Sequence, residues 1–127
     1  TVTGVQTCAL PISVRHAIAA SSFSAGVAPE TIEAEILQDA DRLDALGAVG
    51  LARLFYTAGV MRSDLVDPAD PLAVARPLDD RRFALDHIEV KLLPISRTMR
   101  TARGRSMAEE RAAWLVSFRE RFLGEAG

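Results

Sequence analysis

Ten residues from Gln38 to Gly47, with the sequence QDADRLDALG, place three carboxylates within six positions of a segment that otherwise has the pattern of a buried helix. Asp41 lies beside the apolar stripe of this helix and shares a face with Asp44, whereas Asp39 points largely away. A carboxylate against apolar neighbours costs several kcal/mol unless it is paired or binds a metal. Asp41 is therefore predicted to need a cationic partner, and Asp39 to meet solvent or local packing. The stripe has spacings of three and four, typical of a packed helix face, and consists of Ile36, Ala40, Leu43, Gly47, Gly50 and Leu54.

Hydrophobic periodicity predicts an all-α chain with one long loop. A first helix is expected at residues 14–20, and a second from Pro29 to about residue 56 or 58, with a bend near Gly47 or Gly50. Three prolines make residues 62–77 a loop. Further helices are expected at residues 79–93, ending before a proline, and from Ser106, in a capping box with Glu109, to about residue 123.

The composition fits part of one globular domain. The chain has 127 residues, of which 49% are hydrophobic and 25% charged. No run approaches the roughly 18 apolar residues of a membrane span, and no secretory signal is evident. A cytoplasmic protein without a membrane partner is therefore expected. The net charge of -2 gives no general attraction to nucleic acid.

The N-terminal residues have an unusual sequence. Residues 2–12, VTGVQTCALPI, resemble the translation of a sequencing-adapter oligonucleotide. Residues 1–13 are therefore predicted to be a non-native tail, and residues 14–127 the natural part. Cys8 belongs to the tail, so the cysteine content indicates no redox compartment. An ordinary N-terminal tail is the alternative.

Three segments carry a family resemblance that extends over about residues 14–125. They are SFSAGVAPETIEAEILQDADRLDALGAVGLAR, HIEVKLL and MRTARGRSMAEER. They resemble the C-terminal part of the HD-domain metal-dependent phosphohydrolases. The resemblance implies a helical domain in which a His, an adjacent His-Asp pair and a later Asp hold a divalent metal ion. Asp41 corresponds to the later Asp.

The other metal ligands implied by this resemblance are missing. The chain has two histidines, His16 and His87, and neither is followed by Asp. We therefore expect an HD-domain-like fragment that lacks its N-terminal helices and is inactive alone. The parent would hydrolyse a phosphate ester or anhydride of a nucleotide or small metabolite. Its metal could be Mn, Mg, Co, Fe or Zn, because the sequence does not distinguish them.

Several other residues allow both a functional and a structural interpretation. Asp44 either orients a metal ligand or forms surface ion pairs with arginines; His16 either contacts a phosphate or metal or is structural. Lys91 is either a phosphate contact or one member of an i, i+4 pair with His87. The remaining candidates, Arg97 and Arg100, either bind a substrate anion or lie in a solvated loop.

A small phosphorylated substrate is the expected partner, and nucleic acid is not, because aromatic residues do not alternate with these arginines. A non-catalytic helical interaction module is the competing hypothesis. The sequence predicts no oligomeric state.

Overall fold

The computed structural model describes residues 11–22 and 25–127, and this part of the chain is all-α, as predicted. Residues 1–10, which hold Cys8 and most of the predicted foreign tail, lie outside the described residues. The regular elements in chain order are α1 (Ile12–Ser21), α2 (Ile32–Asp44), α3 (Gly47–Val60), the π-helix π1 (Ile88–Leu92), α4 (Leu93–Ser96) and α5 (Ala102–Ala126).

Small and polar residues join α1 to α2. Ala17 and Ala20 of α1 form a separate buried cluster with Ala34 of α2. The Gln38 side-chain amide donates to the carbonyl of Ala20 at 2.7 Å. These contacts fix α1 against the first half of α2.

Helix α2 begins later than the sequence pattern predicted. The Thr31 side chain accepts a hydrogen bond from the Ala34 backbone N–H at 3.1 Å, which caps the first turn. Glu33 and Glu35 lie in that turn, where carboxylates interact favourably with the positive end of the helix. Pro29 therefore lies before the helix, and its predicted place in the first turn is wrong.

A bend of 59° separates α2 from α3. Gly47, the first residue of α3, has φ +74°, a left-handed conformation that favours glycine. The predicted bend near this residue is confirmed. Among residues 11–22 and 25–127, no single helix is long and apolar enough to span a membrane. Helices α2 and α3 have the necessary length and hydropathy only when they are taken together as a bent pair.

The predicted apolar stripe is correct in α3 and wrong in most of α2. Gly47, Gly50 and Leu54 are buried, whereas Ile36 and Ala40 are exposed. The bend explains the difference, because one continuous face cannot be followed across it. The buried residues of α2 are instead Ala34, Gln38, Asp39, Arg42 and Leu43.

The main core lies between α3, π1, α4 and α5. Phe55 of α3 packs against Phe118 and Phe122 of α5, with ring centroids 5.9 and 6.2 Å apart. Burial of such aromatic and aliphatic side chains is the principal favourable contribution to folding. The buried residues of this main core include Leu43, Leu46, Leu51, Leu54, Leu85, Ile88, Leu92, Leu93, Ile95 and Leu115.

An arginine organises the long connection between α3 and π1, which has no regular helix at residues 62–77, as predicted. Arg76 pairs bidentately with the buried carboxylate of Asp86, at 2.6 and 3.1 Å. Its Nε lies 3.0 Å from Asp67 Oδ2, and its guanidinium carbon lies 4.4 Å from the ring centroid of Phe83. The hydrogen bond that Arg76 donates to Asp86 raises the pKa of Arg76 above its ordinary value, so this side chain stays charged.

The helix predicted at residues 79–93 is replaced by a turn followed by a short π-helix. The Asp79 carboxylate accepts backbone hydrogen bonds from Arg81 and Arg82, each at 3.2 Å, which favours a turn. Regular structure begins only near π1 and continues past Pro94 into α4. Proline is tolerated there because it lies in the first turn of α4, where its missing N–H is not needed.

Helix α5 begins at Ala102, so the capping box predicted at Ser106 is wrong. The side chain of Thr101 caps the helix by accepting from the Gly104 backbone N–H at 3.0 Å. An ideal Cβ on Gly104 would lie 2.2 Å from Asp39 Oδ2. The first turn of α5 therefore packs directly on a carboxylate of α2.

This close approach predicts that Gly104→Ala lowers the free energy of unfolding by about 1–3 kcal/mol, because the methyl group displaces Asp39. Gly124→Ala, in the same helix with no atom within 4 Å of its Cβ position, is the matched control. It should raise stability by up to about 1 kcal/mol through helix propensity. Urea unfolding followed by circular dichroism measures both. Equal effects of the two substitutions would contradict the close packing.

Candidate functional site

Asp41 lies on the outward face of α2, and not against a buried stripe as the sequence suggested. Its side chain is exposed, and so are Ile36, Leu37 and Ala40 on the same stretch of helix. Leu37 precedes Asp41 by one helical turn, so the two residues share a face. The described residues thus present this carboxylate on a partly apolar, open surface.

Asp39 is the buried carboxylate of the cluster, which corrects the expectation that it points away from the packing. It is 3% exposed. Its Oδ1 accepts from the Arg100 backbone N–H at 2.8 Å, and its Oδ2 accepts from the backbone N–H and hydroxyl of Thr101 at 2.8 and 2.7 Å. These hydrogen bonds, at the positive N-terminal end of α5, satisfy the buried charge without a metal.

Arg42, three residues after Asp39 on α2, is also buried and also contacts the segment before α5. Its guanidinium donates to the Thr98 carbonyl at 2.9 Å. Burial, and then the nearby charge of Arg100, lower the pKa of Arg42 from its ordinary value, whereas Asp39 and Asp41 raise it. Arg42 is thus a buried cation next to Asp41 in sequence, and it ties α2 to the segment before α5.

Asp44 forms the ion pair that one interpretation of the sequence proposed. Its Oδ2 lies 2.5 Å from Arg53 Nη1, and the two side chains are 65% and 64% exposed. Exposed pairs of this kind contribute about 0–1 kcal/mol to stability. The pair's main structural consequence is that it holds Arg53 of α3 near the end of α2.

The remaining predicted site residues lie in different surroundings. His16 Nε2 accepts from the Glu30 backbone N–H at 2.7 Å, which is a structural contact between α1 and the segment just before α2. Arg97 and Arg100 are exposed. The carbonyl of Arg100 accepts from Arg105 at 2.9 Å, and its backbone N–H binds Asp39, so its main chain is fixed.

A cleft of about 530 Å³ lies between α3, π1 and the turn before π1. Lys91 and His87 line it, and His87 Nδ1 lies 2.8 Å from Asp80 Oδ2. Ala45 also lines the cleft. Because Asp41 precedes Ala45 by four residues, it lies one helical turn, about 6 Å along the axis, from this lining residue.

The described residues do not by themselves form a metal site. Among residues 11–22 and 25–127, no three His, Cys, Asp or Glu side chains come together in a way that could hold a metal ion. Metal centres in proteins use several such ligands. Asp41 could therefore serve as a ligand only together with groups from elsewhere.

The chain is similar to several known bacterial proteins, although no protein-family model matches it. It is 39% identical over 90 residues to the uncharacterized protein YpgQ of Bacillus subtilis, across 71% of this chain and 38% of YpgQ. A crystal structure of YpgQ is similar with a TM-score of 0.69 and 34% identity, over 89% of this chain and 53% of that chain. YpgQ has also been solved in complex with ADP.

A second solved relative carries a functional description. An HD-superfamily hydrolase from Bacillus thuringiensis is similar with a TM-score of 0.64 and 36% identity, over 78% of this chain and 48% of that chain. The present chain therefore shares a helical fold with an HD-superfamily hydrolase, which confirms the predicted fold class and supports an HD-like family. It spans less than two thirds of the length of each of these relatives.

Two features of the site were missed by sequence reasoning. Helical periodicity could not show which of Asp39 and Asp41 is buried, because that depends on the start of α5. Thr101 was an available signal, since threonine is a preferred residue at the N-cap position of a helix. Arg81 and Asp80 had no such signal, because only the turn before π1 brings them to the cleft.

The burial pattern predicts effects of different size on the free energy of unfolding for two nearby substitutions. Asp39→Asn should cost about 1–3 kcal/mol of unfolding free energy, because its NH₂ group would face the donors of Thr101 or Arg100. Asp41→Asn, the matched control, should stay within about 0.5 kcal/mol of the unsubstituted chain, because the side chain is exposed. Urea denaturation would measure both. A larger loss in Asp41→Asn than in Asp39→Asn would reverse our assignment of the buried carboxylate.

Proposed function

We propose that this chain is the C-terminal part of an HD-type metal-dependent phosphohydrolase, in which Asp41 is one ligand of the metal. The observation that carries the proposal is the 36% identity, over 78% of this chain, to an HD-superfamily hydrolase of the same fold. The DADRLDALG segment, on which the family resemblance chiefly rests, lies in α2 and at its bend to α3.

The surroundings of Asp41 support its role as a ligand. Its neighbour Asp39 is occupied by backbone and hydroxyl donors, and Asp44 is paired with Arg53. Asp41 is exposed on a helix face that also exposes Leu37, at 40%. An exposed apolar side chain beside a carboxylate is what we expect where further helices, bearing the other ligands, complete a site.

The chemistry proposed for the complete protein is hydrolysis of a phosphate ester or anhydride in a nucleotide or another small metabolite. A divalent metal ion supplies polarisation of the phosphoryl oxygen and activation of a water molecule. The ADP complex of YpgQ supports a nucleotide as the substrate class. Among the described residues, no second and third ligand accompany Asp41. We therefore propose that the 127-residue chain alone is inactive.

A helical interaction module is the second candidate, and the exposed apolar residues of α2 favour it. Ile32 is 57% exposed, and it lies one turn before Ile36. One version of this hypothesis used the Asp cluster for salt bridges to a partner. That version is weakened, because Asp39 is buried and accepts hydrogen bonds from Arg100 and Thr101 of the same chain. The two candidates differ in whether the parent carries a His and a His-Asp pair upstream.

The test begins by sequencing the source DNA upstream of residue 14 and expressing the longer protein with its natural upstream segment. That protein should hydrolyse ADP or p-nitrophenyl phosphate with Mn²⁺ or Co²⁺, whereas the 127-residue chain should not. Asp41→Asn in the longer protein should lower kcat/KM by at least about 100-fold, more than an outer-sphere partner costs. It should also weaken Mn²⁺ binding measured by calorimetry.

Glu33→Gln, which changes another exposed carboxylate of α2, is the control and should leave both quantities unchanged. Metal-dependent turnover that survives Asp41→Asn would contradict the proposed ligand. An upstream segment without a His and a His-Asp pair would favour the interaction module.

A further inference from the structure

The cleft between α3 and π1 contains more positive charge than its neighbours neutralise. Arg53 is paired with Asp44, and Asp80 is paired with His87. No carboxylate among the described residues forms an ion pair with Arg81 or Lys91, the other two cations lining the cleft. Two cationic side chains in one concave surface attract an anionic group.

The fold fixes the direction of His87. Its Nδ1 is held by Asp80, so the ring keeps Nε2 for another partner. The side chains of His87 and Asp80 are 28% and 32% exposed, which is sufficient for contact with a bound molecule. A histidine oriented by a carboxylate can donate its second N–H to an oxyanion when it is protonated.

The π-helix brings His87 and Lys91 to the same side. His87 is the residue before π1, and Lys91 lies four positions on. Hydrogen bonds in a π-helix run between residues five apart, so residues four apart lie nearly above one another. Single π turns are rare and occur often at functional sites.

The turn before π1 holds Arg81 in place. The Ser63 hydroxyl, just after α3, donates to the Arg81 carbonyl at 2.6 Å, and the Arg81 backbone N–H donates to Asp79 at 3.2 Å. The backbone of Arg81 is thus anchored while its side chain is exposed. A guanidinium group with a fixed origin suits bidentate binding of phosphate oxygens.

The size of the cleft and its apolar walls indicate a ligand larger than a single inorganic ion. Its volume of about 530 Å³ lies within the range of about 300–1,000 Å³ typical of small-molecule sites. Leu54, Ala58 and Met61 of the α3 side contribute apolar wall, which a phosphate ion cannot use. An organic compound with one anionic end matches both parts.

We propose that this cleft binds a small organic phosphate, with its phosphate group on Arg81, Lys91 and His87 and its apolar part against Leu54 and Met61. The proposal goes beyond the proposed metal site, because it involves none of the residues assigned to metal binding and requires no metal. Of these three residues, the sequence had indicated only Lys91 as a phosphate contact. Arg81 and the pair of His87 with Asp80 are additions from the geometry.

The experiment titrates phenyl phosphate into the ¹⁵N-labelled 127-residue chain in the presence of EDTA, followed by NMR. Saturable shifts at Arg81, His87 and Lys91 are expected, and binding should be tighter than that of inorganic phosphate. Arg81→Gln and Lys91→Gln should each weaken the affinity about 10-fold, the effect of one lost charged contact.

Arg121→Gln removes an equal charge at the far end of α5 and should bind phenyl phosphate like the unsubstituted chain. Circular dichroism checks that every variant is folded. Absence of saturable binding, or equal weakening by Arg121→Gln, would overturn the site. Equal affinity for inorganic phosphate would overturn the assignment to an organic ligand. None of these results depends on turnover, so the metal-site proposal is tested separately.

Discussion

The arrangement of the helices depends on the hydrogen bonds between Asp39 and the start of α5. A single carboxylate accepts from two successive backbone N–H groups and one hydroxyl, across 61 and 62 positions of sequence. The Thr101 hydroxyl that donates to Asp39 also accepts from Gly104, so the cap of α5 and its attachment to α2 are one unit. Because Asp39 must face inward, Asp41, two residues later, faces outward. The exposure of the candidate ligand is therefore a consequence of this packing.

Local sequence signals predicted the existence of the helices better than their faces. The bend at Gly47 and the proline-rich connection follow from backbone chemistry that acts on a few neighbouring residues. The buried face of α2 does not, because Gln38, Asp39 and Arg42 are polar and are buried only where distant backbone groups satisfy them. A hydrophobic stripe through Ile36 and Ala40 could not reveal those partners.

The two parts of the candidate site differed in how far they could be predicted. Asp41 was singled out by its place in a motif, and its proposed role as a metal ligand comes from the resemblance to HD-domain enzymes. The cleft was indicated only in part, because HIEVKLL holds His87 and Lys91 whereas its other charged residues come from α3 and the turn before π1. Asp44 connects the two regions through Arg53. The sequence alone allowed this pair or a role near a metal, and only the fold shows that Arg53 is the partner.

Arg76 has a consequence for how the connection between α3 and π1 tolerates change. One guanidinium group contacts Asp67, Asp86 and the ring of Phe83, so three positions of an irregular segment share a single partner. Substitution of any one of them changes how much the contacts of the other two contribute to stability, because contacts in one network are not additive. During divergence, these four positions are therefore expected to change together or not at all, while the exposed residues between them vary independently.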